Sequence, residues 1–222
     1  MSAKTEDLYP SSKPDDQVTE QAIGGIRLPK ELRRQQLVFS ALRVFSSQGY
    51  HITTMNHIAS AADVTKPVLY QHFKSKRDLY LAVLDEQIND LTKRIIEPLY
   101  QTENNRGRVE GALGAFFEFI RTNPQGYRLI FESDIQSDLA VQERLDNLYN
   151  SIAVPVANIL GPNAGLPAQE AVLLARTLTG MVISATQHAI SQGATTDNLA
   201  AVEKLVFRLA WGGISIIDED WE

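Results

Sequence analysis

Residues 53–73 constrain this chain more than any other stretch. Thr53 and Thr54 offer an N-cap, a hydroxyl placed to accept one of a helix's first unpaired amides, and Met55 to Ala62 follow with Ile58 and Ala62 four apart. That spacing predicts a short helix. A brief turn at Asp63-Val64 leads to Thr65, a second N-cap, with Pro67 in the first turn, where its missing N–H leaves no bond unmade. A further short helix is expected over 66–73. Two short helices joined by so tight a turn form the helix-turn-helix pattern, whose second member enters the major groove of DNA.

The flanks predict an all-α chain. Pro29 suits a first helical turn, and Leu37, Val38, Ala41, Leu42 and Phe45 recur on one helical face, so a first helix is expected over 30–48, ended by Gly49. Ser75 with Asp78 three residues on resembles a capping box, opening a long helix that reaches Pro98 and carries Tyr80, Leu84, Ile88, Leu91 and Ile95 inward. Further helices are expected at about 106–122, 126–134, 138–160, 167–191 and 196–211. Asn123-Pro124, Gly161-Pro162-Asn163 and Gln192-Gly193 serve as breakers, and no alternating strand run or internal repeat intervenes. The resulting division is an arm over 1–26 with a Gly24-Gly25 hinge, a three-helix head over 27–80, and a helical body over 81–222.

Charge follows the same division. The 222 residues sum to −6, yet residues 27–80 hold nine Lys or Arg against three acids, +6, while 1–26 carry −3 and 81–222 carry −9. A basic head on an acidic body suits a DNA-binding unit joined to a part that stays off phosphate. With 44% hydrophobic and 22% charged residues the composition is that of a globular protein and excludes disordered or collagen-like chains. No apolar run approaches the roughly 18 residues of a spanning helix, so no membrane association is expected. Residues 1–20 lack the apolar stretch of a secretory signal, and a cytoplasmic location is expected. The absence of cysteine excludes disulfides, thiolate metal sites and cysteine nucleophiles. No His or carboxylate spacing suggests zinc, and no G-x-S-x-G, G-x-G-x-x-G or H-E-x-x-H motif suggests catalysis. No cofactor and no enzyme activity are expected.

Residues 53–80, TTMNHIASAADVTKPVLYQHFKSKRDLY, resemble the DNA-binding domain of the TetR family of regulators, TKPVLYQHFKSK above all. The resemblance implies a helix-turn-helix head, a variable effector-binding and dimerisation body, and a homodimer reading a pseudo-palindromic double-stranded operator. One departure is Asp63, where the family turn usually has glycine; aspartate tolerates a left-handed backbone better than most residues. Thr53 or Thr54 and Thr65 cap helix N-termini, where free amides meet phosphate. Lys66 opens the recognition helix, facing a guanine edge or a phosphate, with Pro67, Tyr70, Gln71 and His72 on the same element. The resemblance assigns Tyr70 and His72 to phosphate and makes Lys76 a backbone clamp. Leu69 and Phe73, four apart, read as core, and Arg27 as a candidate for the minor groove or neighbouring backbone. Of the body, the last two helices, with Gly180, Ala185 and Ala189 among larger residues, offer the dimer interface.

The body is dense in large apolar residues and poor in charge along its central helices, so a cavity there would suit an aliphatic or aromatic ligand. LPKELRRQQL, QGYRLIFESD and LAWGGIS further resemble the TetR-type regulators of fatty-acid synthesis in actinobacteria. This implies a long-chain acyl-CoA effector, with Leu99, Val156 and Leu178 as acyl wall on the inner faces of the fourth, seventh and eighth helices, joined by Phe116 and Phe131. The CoA head is expected at a basic mouth, with Arg106, Arg121, Arg128 and Arg144 as candidates. The alternative is a repressor of efflux or catabolic genes responding to a drug-like molecule, for which Glu118, Glu132 and Asp134 flank the aromatic cluster. Operator, target genes and the choice between repression and activation are not encoded in the chain.

Overall fold

The computed structural model describes residues 29–195 and 198–214; the hinge glycines and Arg27 lie outside the described residues. Among these the regular elements are all helical: α1 Lys30–Ile52, α2 Met55–Ala61, α3 Lys66–His72, α4 Lys76–Ile96, α5 Asn105–Thr122, α6 Pro124–Phe131, α7 Leu139–Asn163, α8 Ala168–Ser191 and α9 Leu199–Ile214, with a 3-10 turn at Glu97–Tyr100. No helix among the described residues is long and apolar enough to cross a membrane.

The head is built from local signals. Gly49 takes φ 78°, a value L side chains rarely adopt, and interrupts α1 where the sequence placed its end; one further turn runs to Ile52. Thr54 caps α2 by accepting the His57 amide at 3.2 Å. Asp63 supplies the left-handed turn at φ 51°, as its tolerance for that region requires. Thr65 stands at the N-cap of α3, but its hydroxyl makes no capping bond. Ser75 accepts the Asp78 amide at 3.0 Å, and Asp78 reaches back to the Lys74 amide at 2.9 Å. Leu69 and Phe73 are buried against Leu37 and Ile58, so their helical spacing served the core.

In the body, two expected boundaries move for identifiable reasons. Asn123-Pro124 begins α6 instead of merely breaking the chain, because Asn123 accepts the Gly126 amide and Pro124 occupies the first turn. Helix α7 runs through Gly161-Pro162 to Asn163 and stops only near Gly165, whose φ of 60° closes the helix with Leu166 N–H donating to the Gly161 carbonyl. Gly161 instead serves packing: a Cβ there would lie 3.2 Å from that of Ala171. With Ala153, Ala157 and Ala175 it lets α7 and α8 approach closely as a pair. One hydrophobic core joins Leu37 and Phe45 through Tyr80 and Leu84 to Phe117, Ile130 and Leu148. The boundary at residue 80 therefore falls inside α4, which belongs to head and body alike.

Candidate DNA-binding face and effector cavity

Helix α3 leaves Lys66, Pro67, Tyr70 and Gln71 exposed and His72 half-buried, with Thr54 and Thr65 exposed at the N-termini of α2 and α3. The Lys66 ammonium lies 5.9 Å from the Tyr70 ring centre. Burial first, then the cations Lys30, Arg34 and Arg33, hold the His72 imidazole below its ordinary value. Two of the expected DNA contacts have partners within the chain. Thr53 is fully buried and its hydroxyl donates to the Gly49 carbonyl at 2.6 Å, so its side chain is committed to closing α1. The Lys76 ammonium donates to the carbonyls of Tyr50 at 2.8 Å and Thr53 at 2.9 Å and sits 4.2 Å from the Tyr50 ring centre. It satisfies the end of α1 rather than standing free for phosphate.

Three contacts tie the head to the body. Asp134 accepts the amides of Tyr50 at 2.8 Å and His51 at 3.1 Å. Burial pushes its carboxyl up, but those amides outweigh it and hold the group below its ordinary value. Arg77 makes a two-pronged pair with Asp138, at 2.8 and 2.7 Å, while Asp138 also caps α7 through the Ala140 amide. Tyr80, its hydroxyl pushed up to about 12 chiefly by burial, shares a 2.6 Å bond with Ser133.

The body encloses an apolar cavity of about 110 Å³ walled by α4, α5, α7, α8, α9 and the 3-10 turn. Leu99, Phe116, Val156 and Leu178 line it with Ile95, Leu113 and Val182; Thr179 is its one polar wall, and its hydroxyl is bound to the Ala175 carbonyl. Leu99 sits on the 3-10 turn rather than on the fourth helix, because α4 ends at Ile96 before Pro98. Phe131 does not line the cavity. It is buried in α6 with its ring 6.4 Å from that of Phe116 and 5.1 Å from that of Tyr127, one layer behind the wall. The Tyr127 hydroxyl is buried without a hydrogen-bond partner among the described residues.

A second cavity of about 40 Å³ shares Leu99, Val109, Val156 and Leu178 with the first and extends to Asn105 and Arg108. Sequence reasoning passed over Arg108. The signal was present: Asn105, Arg108, Val109, Ala112, Leu113 and Phe116 follow helical spacing along one stripe of α5. The four arginines named as candidates are each paired instead, Arg106 with Glu110, Arg121 with Glu118 and Glu203, Arg128 with Glu132 and Arg144 with Asp85. The acids that pointed to a cationic drug also lie elsewhere: Glu118, Glu132 and Asp134 do not line the apolar cavity. No cluster of three His, Cys, Asp or Glu among the described residues is placed to hold a metal.

Residues 37–83 match the model of bacterial regulatory proteins of the tetR family. Over 86% of its length the chain is 39% identical to the HTH-type transcriptional activator FasR of Mycolicibacterium smegmatis, covering 87% of that protein. The chain belongs to the TetR family. It is a helix-turn-helix transcriptional regulator similar to FasR. The fold is shared with the fatty acid degradation regulator FadR of Bacillus halodurans, with a TM-score of 0.71 at 18% identity over 84% of this chain and 98% of that one. It is shared also with FadR of Bacillus subtilis in complex with stearoyl-CoA, with a TM-score of 0.68 at 19% identity over 81% and 98%.

Proposed function

We propose that this TetR-family regulator binds a pseudo-palindromic operator as a homodimer and that a long-chain acyl-CoA in the body changes its affinity for DNA, so that lipid supply governs genes of fatty-acid synthesis. The observation that carries this reading is the pair of adjoining cavities, aliphatic along their length and charged only at Arg108. The similarity to FasR and the stearoyl-CoA held by the B. subtilis FadR support the same choice. The base contacts fall to α3 through Lys66, Pro67 and Gln71. Tyr70, His72, Thr54 and Thr65 face phosphate, and the bound anion is the effector, with no cofactor and no membrane partner.

The dimer forms through α8 and α9. Leu173, Leu205 and Leu209 are each more than 60% exposed there, and a Cβ at Gly180 would meet nothing within 4 Å among the described residues, leaving a face that a second copy covers. Coupling runs along α4, whose first residue, Lys76, closes the head while Leu91 and Ile95 wall the cavity roughly 22–29 Å away. A ligand shifts DNA affinity only by preferring one head spacing over another, and filling the cavity displaces the far end of this helix.

The test uses Leu99→Phe, which blocks the partition between the cavities. The variant is expected to bind operator as the parent does and to lose its response to palmitoyl-CoA; a normal response would refute the path of the chain. Displacement of a fluorescent long-chain acyl probe by palmitoyl-CoA, and not by a panel of drugs and cationic dyes, separates this reading from the efflux alternative.

A further inference from the structure

We propose that Arg108 reads the anionic group of an effector whose aliphatic chain fills the adjoining cavities, and that it does so by exchanging its hold on the Leu99 carbonyl for that anion. The inference rests on the proposed lipid effector but names the residue that selects it. Arg108 lines the smaller cavity, next to Asn105. Its Nε donates to the carbonyls of Leu99 at 3.1 Å and Thr102 at 2.9 Å, and its Nη1 to Asn105 Oδ1 at 2.8 Å. All three acceptors are neutral. Arg94, Arg106, Arg121, Arg128 and Arg144 each have a carboxylate at 2.6–4.0 Å. Arg176, bound to Asn150, and Arg208 line neither cavity.

A half-buried guanidinium stays charged, and neutral carbonyls orient that charge without cancelling it. Its planar fork matches phosphate or carboxylate better than single carbonyls, through two parallel charge-assisted bonds. A second consequence follows from the same bond. Leu99 walls both cavities, and Arg108 fixes its backbone. An anion that draws the guanidinium away releases the 3-10 turn at the end of α4, so head-group recognition and movement of Leu99 become one event.

Calorimetric titration of the full chain, and of Arg108→Gln and Arg108→Lys, with palmitoyl-CoA, hexadecyl phosphate and hexadecanol below their micellar concentrations tests this. Arg108→Gln should weaken both anions about ten- to a hundredfold and hexadecanol by no more than about twofold, the worth of one or two charge-assisted hydrogen bonds. Arg108→Lys should recover part of the loss. An equal loss for hexadecanol would mean that Arg108 only braces the turn, and unchanged binding of the anions would mean that it does not meet them; either overturns the proposal. Arg108-dependent binding of hexadecyl phosphate without any binding of palmitoyl-CoA would uphold the anion site and remove acyl-CoA as the effector.

Discussion

Replacing Lys76 by Met separates two roles that the same lysine is able to play. The parent ammonium makes bonds of 2.8 and 2.9 Å to carbonyls at the end of α1 and stacks over the Tyr50 ring at 4.2 Å. Hydrogen bonds to a charged group contribute about 1.5–3 kcal/mol each, and an exposed cation–π contact adds about 0.5–1 kcal/mol. Because Lys76 is only half-buried, the lower ends apply, giving about 3.5 kcal/mol in all. For a chain of this size each kcal/mol moves Tm by about 2–4 °C, so Lys76→Met should melt about 7–14 °C lower. Melting is followed by far-UV circular dichroism at fixed protein concentration, because the Tm of the proposed dimer would depend on concentration. Operator binding is then measured against salt at a temperature where both proteins are folded. A phosphate clamp lost from each protomer would lower the slope of log K against log [salt] by about 0.9 per contact. An unchanged Tm with a reduced slope would refute the structural role of Lys76.

Three further outcomes follow from single contacts. The depressed carboxyl of Asp134 gives stability that is present above the ordinary Asp pKa of about 3.9 and is lost as pH falls through the lower folded value. Asp134→Asn should thus cost about 1 kcal/mol or less after solvent screening at pH 7 and nothing in strong acid; urea melts at both extremes check the sign. Tyr127→Phe removes a buried hydroxyl with no partner among the described residues, and should leave stability unchanged or raise it by about 1 kcal/mol in the same melts. A Cβ at Gly111 would lie 2.7 Å from that of Pro98, so Gly111→Ala should push the 3-10 turn away at a cost of about 1–3 kcal/mol and weaken the fluorescent acyl probe by the displacement of Leu99.

The head was legible because its signals are local. Thr54, Ser75 and Asp78 cap the helices that their positions announce, and Asp63 bends as its backbone tolerance allows. Adjacent Thr53 and Thr54 look alike in sequence; only packing decides that one is buried on the Gly49 carbonyl while the other caps α2. The carbonyl partners of Lys76 were hidden for a related reason, since they lie 23 and 26 residues away along the chain. In the body, helix existence followed from apolar spacing, whereas α7 ends at the left-handed Gly165 and passes through Gly161, which is held small by the close approach of α8. Arg108 and Arg106 lie two residues apart and differ by about 200° of helical phase, which places one on the cavity stripe and the other beside Glu110.

On the proposed function, an anionic lipid in the body controls the grip of the head on DNA. Fluorescence anisotropy with a labelled duplex, enriched from a random pool by the full-length protein and titrated at fixed salt, measures this directly. Palmitoyl-CoA should shift operator affinity by about five- to a hundredfold, the usual range for coupled sites, while free CoA and acetyl-CoA leave it unchanged. Tight operator binding that is indifferent to palmitoyl-CoA would contradict the claim.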